Sequence, residues 1–180
     1  LLDHMDRYKN LAQYAKAKAN IFAWQTKADM IVLNNDNLII KKLAWSAPSN
    51  IFWFSIKRKV NFGGYVYNQA IWFNNGKRIK KILNLKDVKL VSQHNVENIL
   101  AATTTAAAVG VKTMDIKKAI LKFNGLHSRQ ELIRKYRGVS YVNDTTATIP
   151  QATQSALTTF KNKSITLIAG GRDKNLNYVS

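Results

Sequence analysis

The sequence predicts an α/β protein in two successive parts, and three observations predict it. A run of short β segments occupies the middle of the chain, between stretches with helical periodicity. Near residue 125, two helical patterns end at glycine-bearing turns, as an αα-hairpin closing a domain would. Beyond them, strand, helix and strand patterns lead into Gly170-Gly171, the opening of an α/β domain whose ligands gather outside the carboxyl ends of its strands.

Each element has its own signal. Between Asn10 and Gln25, the residues Leu11, Tyr14, Ala15, Lys18, Ile21 and Phe22 recur at helical spacing and predict an amphipathic helix. Lys18 stands on that apolar face, where a core helix would carry Leu or Ala; snorkelling of its aliphatic stem is the plain account. Asp29–Leu33 reads as a buried strand, broken by the polar turn Asn34-Asn35-Asp36-Asn37. Ile51–Ile56, Tyr65–Tyr67 and Ala70–Phe73 are further β segments. Asn74-Asn75-Gly76 before Lys77–Leu83 predicts a hairpin, because Asn and Gly tolerate the positive φ of such turns.

Asn95–Val109 is Ala-rich and helical, and Gly110 suits a left-handed cap at its end. Asp115–Phe123 is a second helix, closed by Asn124-Gly125, and the domain boundary falls at Gly125, between parts 1–125 and 126–180. Glu131–Tyr136 and Val139–Asn143 then pair around Arg137-Gly138. Pro150–Phe160 is a helix with proline in its first turn, and Ile165–Ala169 reads as a buried strand.

Composition bounds the function. With 46% hydrophobic residues in 180, the chain can bury a core and stands apart from disordered proteins. It has no cysteine, which excludes disulfides and Cys-based zinc sites and fits a reducing cytoplasm. The most apolar stretch, Ile99–Val111, is interrupted by Thr103-Thr104-Thr105 and falls short of the roughly 20 residues that span a bilayer, so no membrane role is expected. The net charge of +18 invites a nucleic-acid reading, but the cations come as scattered groups such as Lys57-Arg58-Lys59, Lys80-Lys81 and Arg134-Lys135-Arg137. A dedicated binder more often shows one basic stripe or an aromatic platform, so nucleic acid is not the expected partner. The ends, at Leu1 and Ser180, read as cuts in a longer protein.

Candidate chemistry sits in short constellations. Asp3-His4-Met5-Asp6-Arg7 crowds acids, an imidazole and a guanidinium before the first helix; it suits a metal, or equally a solvated helix start with Asp6 near a cap. In Gln93-His94-Asn95-Val96-Glu97-Asn98, Asn95 and Asn98 lie one turn apart and could present two amides to a heterocycle or phosphate, or simply cap the helix. Asn143-Asp144-Thr145-Thr146-Ala147-Thr148 links a strand to a helix; Asp144 could hold ribose hydroxyls or a metal and Thr148 a carboxylate, and a plain connecting loop is the alternative. In Gly170-Gly171-Arg172-Asp173-Lys174, glycines after a strand admit an anion and Lys174 offers it a point charge.

Taken in order, these pieces resemble the Mur ligase family. The resemblance rests on Asp3, His4, Asp6 and Arg7 followed by Tyr14 and Lys18; on His94-Asn95 with Asn98 to Ala102; on Phe123 to Leu126 with Arg129 and Glu131; on Asn143-Asp144 with Ala147-Thr148; and on Gly170 to Lys174. It covers nearly the whole chain, and the Asn143–Thr148 loop favours the member that adds D-glutamate to UDP-N-acetylmuramoyl-L-alanine over its relatives, folylpolyglutamate-type ligases included.

The resemblance implies the C-terminal part of an ATPase-like central domain at 1–125 and the start of a Rossmann-like domain at 126–180. It implies ATP and Mg2+ as cofactors, an acyl phosphate on the substrate, a cytoplasmic location and a monomeric parent enzyme. Lys18 would be carbamoylated and, with His4, hold magnesium in the catalytic centre. Asn95, Asn98, Arg129 and Asp144 would contact the nucleotide, and Thr148 and Lys174 the D-glutamate. The family often has Lys where Thr146 stands and Pro-His where His127-Ser128 stand. A Gly-rich phosphate loop is absent from the sequence, so this stretch alone is expected to be inactive.

Overall fold

A computed structural model of the chain describes Tyr8 and residues 10–89 and 92–171. They fall into two compact units, one of Ala12–Phe123 and one that contains 124–171.

The first unit is a mixed sheet with helices packed on it. Helix α1 (Leu11–Ala19) runs into a 3-10 turn at Asn20–Phe22, in agreement with the helical periodicity, and Phe22 is buried. Strands β1 (Met30–Asn34) and β2 (Asn50–Ser55) are parallel and joined by helix α2 (Leu38–Ala44). The polar run before α2 suggested only a turn; Asn37 in fact caps the helix, its side-chain oxygen accepting the N–H groups of Ile39 and Ile40. Strand β3 (Phe62–Tyr67) adds to β2 in parallel, while β4 (Ala70–Asn75) and β5 (Ile79–Asn84) extend the sheet antiparallel, in the order β1-β2-β3-β4-β5.

Helices α3 (Gln93–Ala108) and α4 (Thr113–Lys122) close this unit as the anticipated hairpin, with Gly110 at φ +89° between them. The core joins Ile71 and Phe73 of β4 and Ile82 and Leu83 of β5 to Leu100 of α3 and Ile116 of α4. Ile71 and Phe73 are two apart on β4 and so share a face, whereas Ile82 and Leu83 are consecutive on β5, where the pairing with β4 shifts register beside Ile71 and Trp72. Gly64 lets α3 come close: a Cβ there would lie 2.2 Å from Thr104 Oγ1.

In the second unit, β6 (Glu131–Tyr136) and β7 (Val139–Asn143) form an antiparallel pair. Their turn places both Arg137 and Gly138 at positive φ, the backbone that matches strand twist in a two-residue hairpin. Helix α5 (Pro150–Thr159) follows, with proline at its start. The expected strand Ile165–Ala169 does not form: these residues join no ladder, and Ile168 is 94% exposed. An apolar run becomes a strand only beside a partner, and among the described residues β6 and β7 satisfy only each other. No described helix is long and apolar enough to cross a membrane.

Candidate functional site

In the first unit the parallel strands deliver their carboxyl ends to one edge of the sheet, and a carboxylate ties that edge together. Asp36 lies just after β1; its Oδ1 accepts the Ser55 hydroxyl at 2.7 Å and its Oδ2 accepts the Ile56 N–H at 2.8 Å. Ser55, fully buried at the end of β2, in turn accepts the N–H groups of Lys57 and Arg58. This clamp fixes the tight return from β2 into β3 and holds Lys57-Arg58-Lys59 outward, where Lys59 Nζ lies 3.7 Å from the centre of the Tyr67 ring. Asp36 had signalled only a turn in the sequence; an acid directly after a parallel strand is the sign that marks it.

Lys18 is exposed on α1, with its ammonium 5.4 Å from the Tyr14 ring centre, one helical turn back. Its amine is therefore open to solvent and to dissolved carbon dioxide. His4, like Asp3, Asp6 and Arg7, lies outside the described residues, and among the described residues no group of acids, His or Cys could hold a metal by itself.

At the start of α3 the helix cap is Ser92, which accepts the Asn95 N–H at 3.4 Å; Asn95 and Asn98 are not the caps. The Asn98 side chain is exposed and pairs with His94, Nδ2 to Nε2, at 3.2 Å. Asn95 is half-buried, and its side chain is not bonded to that of Asn98. Nearby, an open cleft of about 590 Å³ is lined by Asn68, Gln69, Asn84, Leu85, Lys86 and Val96. Neither Asn95 nor Asn98 lines it.

The second unit brings two of the sequence motifs into one network. Ser128, at φ +61°, donates its N–H to Glu131 Oε2 at 2.7 Å. Its carbonyl accepts both the N–H and the hydroxyl of Thr146, at 3.2 and 2.9 Å. Its hydroxyl meets His127 Nδ1 at 2.8 Å and Asn143 Nδ2 at 3.3 Å. Gln130, at φ +46°, donates its N–H to Asp144 Oδ1 at 3.1 Å. Arg129 lies between these two left-handed residues, exposed, and its guanidinium has no partner among the described residues.

The loop 126–131 and the loop 143–147 are thus stapled, and Arg129 and Asp144 are carried on the two sides of the staple. Thr148 is exposed just before α5, next to the buried Ile149. Lys174 lies outside the described residues, and Gly170 and Gly171 are the last described part of its motif. Ser128 and Gln130 were given no role from sequence, and Asn143 stood only as part of the Asn143–Thr148 loop, with no partner of its own. Only a pairing of β6 with β7 reveals them, because it brings the residues before one strand beside those after the other.

A family model for the Mur ligase middle domain matches residues 2–106. The chain belongs to the Mur ligase family. It is 36% identical over 177 residues to the UDP-N-acetylmuramoylalanine--D-glutamate ligase of Clostridium tetani, covering 98% of this chain and 37% of that protein. With the ligase of the same name from Clostridioides difficile it shares 40% identity over 176 residues, 98% of this chain and 39% of that one. The chain therefore spans well under half the length of these Mur ligases. In structure it resembles MurF from Acinetobacter baumannii, with a TM-score of 0.71 at 18% identity over 89% of this chain and 35% of that one. It also resembles the apo form of L. casei FPGS, with a TM-score of 0.61 at 18% identity over 90% of this chain and 40% of that one. Such identities speak for a shared fold only.

Proposed function

We propose that this Mur ligase chain is part of an ATP-dependent ligase that joins D-glutamate to UDP-N-acetylmuramoyl-L-alanine in the cytoplasm, as a step of peptidoglycan synthesis. Residues 1–125 serve as the C-terminal part of its central domain and 126–180 as the start of its Rossmann-like C-terminal domain, in a monomeric enzyme. Whole-chain similarity to two ligases named for this reaction supports the substrate pair. The observation that carries the reading is the staple between loops 126–131 and 143–147, which holds an unpaired guanidinium, Arg129, and a carboxylate with a spare oxygen, Asp144, at one end of a β-hairpin.

In this reading the γ-phosphoryl group of ATP passes to the substrate carboxylate, giving an acyl phosphate and ADP. The D-glutamate amine then attacks the acyl carbon, phosphate leaves, and the amine's proton is lost. The protein's share is positioning and charge neutralisation. Arg129 meets phosphate or the base through its planar donors, and Asp144 accepts ribose hydroxyls on its free oxygen. Asn95 and Asn98 present amides to the nucleotide from the positive end of α3. Thr148 and Lys174 hold the carboxylates of D-glutamate.

Lys18 suits the magnesium role in one respect: its exposed amine, once deprotonated, can add to carbon dioxide and lose a further proton, giving an anionic carbamate whose oxygens, together with the imidazole of His4, would hold magnesium. Bound magnesium would supply neutralisation of phosphate charge. The test is phosphate release by the full-length gene product that requires ATP, UDP-N-acetylmuramoyl-L-alanine and D-glutamate together. Release that proceeds equally with another amino acid in place of D-glutamate would remove the substrate assignment.

A further inference from the structure

We propose that Thr146 and Ser128 are positioning residues: their hydrogen bonds hold the left-handed turn that aims Arg129, so that Arg129 and Asp144 face the nucleotide as one preformed pair. The inference rests on the nucleotide reading given above and deepens it.

Ser128 at φ +61° and Gln130 at φ +46° both occupy the left-handed region, which non-glycine residues enter at a cost. Two such residues flanking one exposed arginine will not hold that shape unaided. Here each left-handed N–H is taken up by a carboxylate, Ser128 by Glu131 and Gln130 by Asp144. Charge-assisted bonds of this kind are among the stronger local restraints available.

The turn is then locked from outside. The Ser128 carbonyl receives two donors from the single residue Thr146, its N–H and its hydroxyl, and the Ser128 hydroxyl is engaged by His127 and Asn143. Every polar backbone and side-chain group of Ser128 is therefore used in the staple. Strain gathered around one residue whose own side chain is left unpaired is the pattern of a site organised for a ligand. The Asp144 carboxylate belongs to the same device: one oxygen restrains Gln130, and the other remains available to a ligand.

Preformed geometry should show as affinity, since a turn already ordered costs nothing further to order on binding. Thr146 is exposed, so its hydroxyl can be removed without opening a core cavity.

The test compares Thr146→Val, which keeps the backbone bond and deletes the hydroxyl, with Thr146→Ser, which keeps both. In the ligand-free full-length protein, the Gln130 amide should exchange with solvent roughly 2- to 10-fold faster in Thr146→Val, the span set by losing one ordinary hydrogen bond, and should return to the wild-type rate in Thr146→Ser. The ATP dissociation constant should rise over the same range in Thr146→Val and recover in Thr146→Ser. Unchanged Gln130 exchange in Thr146→Val overturns the staple; faster exchange with unchanged ATP affinity overturns its positioning role. Arg129→Ala separates the two layers: if that variant binds ATP as wild type does, the nucleotide reading fails, whatever the exchange data say of the turn.

Discussion

Asp36 and Ser55 meet at 2.7 Å across the carboxyl ends of β1 and β2, and through them the edge of the parallel sheet is held by one carboxylate and one fully buried hydroxyl. Removing the hydroxyl in Ser55→Ala strands the Lys57 and Arg58 N–H groups and leaves Asp36 Oδ1 unpaired. A loss of about 1 kcal/mol of unfolding free energy is expected, the net worth of hydrogen bonds whose other partners are half-buried or exposed. Denaturant titration measures it, and a change below about 0.5 kcal/mol would mean that water replaces the clamp.

Close approach of α3 to β3 makes a second prediction. Gly64→Ala drives a methyl group to 2.2 Å from Thr104 Oγ1, a buried β-branched side chain already bonded to the Leu100 carbonyl. Overpacking of this kind costs about 1–3 kcal/mol. Thr104→Ala clears the space, so the double variant should be more stable than the two single losses added together. Simple additivity would show that the backbone, and not Thr104, absorbs the methyl group.

Local pattern and tertiary context divide what was legible in the sequence. Glycine marked the β4–β5 and β6–β7 turns because Gly76 and Gly138 take up positive φ, the asparagines before Gly76 hold the first of these turns through their side-chain oxygens, and periodicity marked α3 and α4. Helix α2 was hidden because its seven residues, Leu38–Ala44, are too few to display a period. The run Ile165–Ala169 misled because apolar content cannot say whether a neighbouring strand is there to pair with. At the candidate site the motif residues Arg129 and Asp144 were readable, but the bonds from Thr146 to Ser128 span a hairpin, and nothing local in the sequence points across it.

Acid should act on Asp29. Its carboxylate accepts the Thr26 N–H at 2.7 Å and the Thr26 hydroxyl at 2.9 Å, and these bonds hold its pKa below the ordinary aspartate range, the backbone bond most of all. A depressed carboxylate pKa contributes stability that is present above the unfolded-state value and fades as pH falls through the folded one, here below about pH 4. Thr26→Val keeps the backbone bond and removes the hydroxyl, so the Asp29 midpoint should move part of the way back up. Carboxyl NMR titration follows it, and an identical midpoint in both proteins would assign the shift to the backbone bond alone.

Capping at α3 separates two readings of Asn95. Ser92 accepts the Asn95 N–H, so Ser92→Ala should cost about 1 kcal/mol of stability by freeing a first-turn donor. The Asn95 side chain caps nothing, and Asn95→Ala should leave stability within about 0.5 kcal/mol. Because the second variant keeps the helix intact, weaker ATP binding by Asn95→Ala would trace to a lost ligand contact and not to a frayed helix. The decisive pairing is a denaturation curve with an ATP titration on the same two variants. Asn95→Ala that unfolds as readily as Ser92→Ala would return Asn95 to a structural role and withdraw it from the nucleotide site.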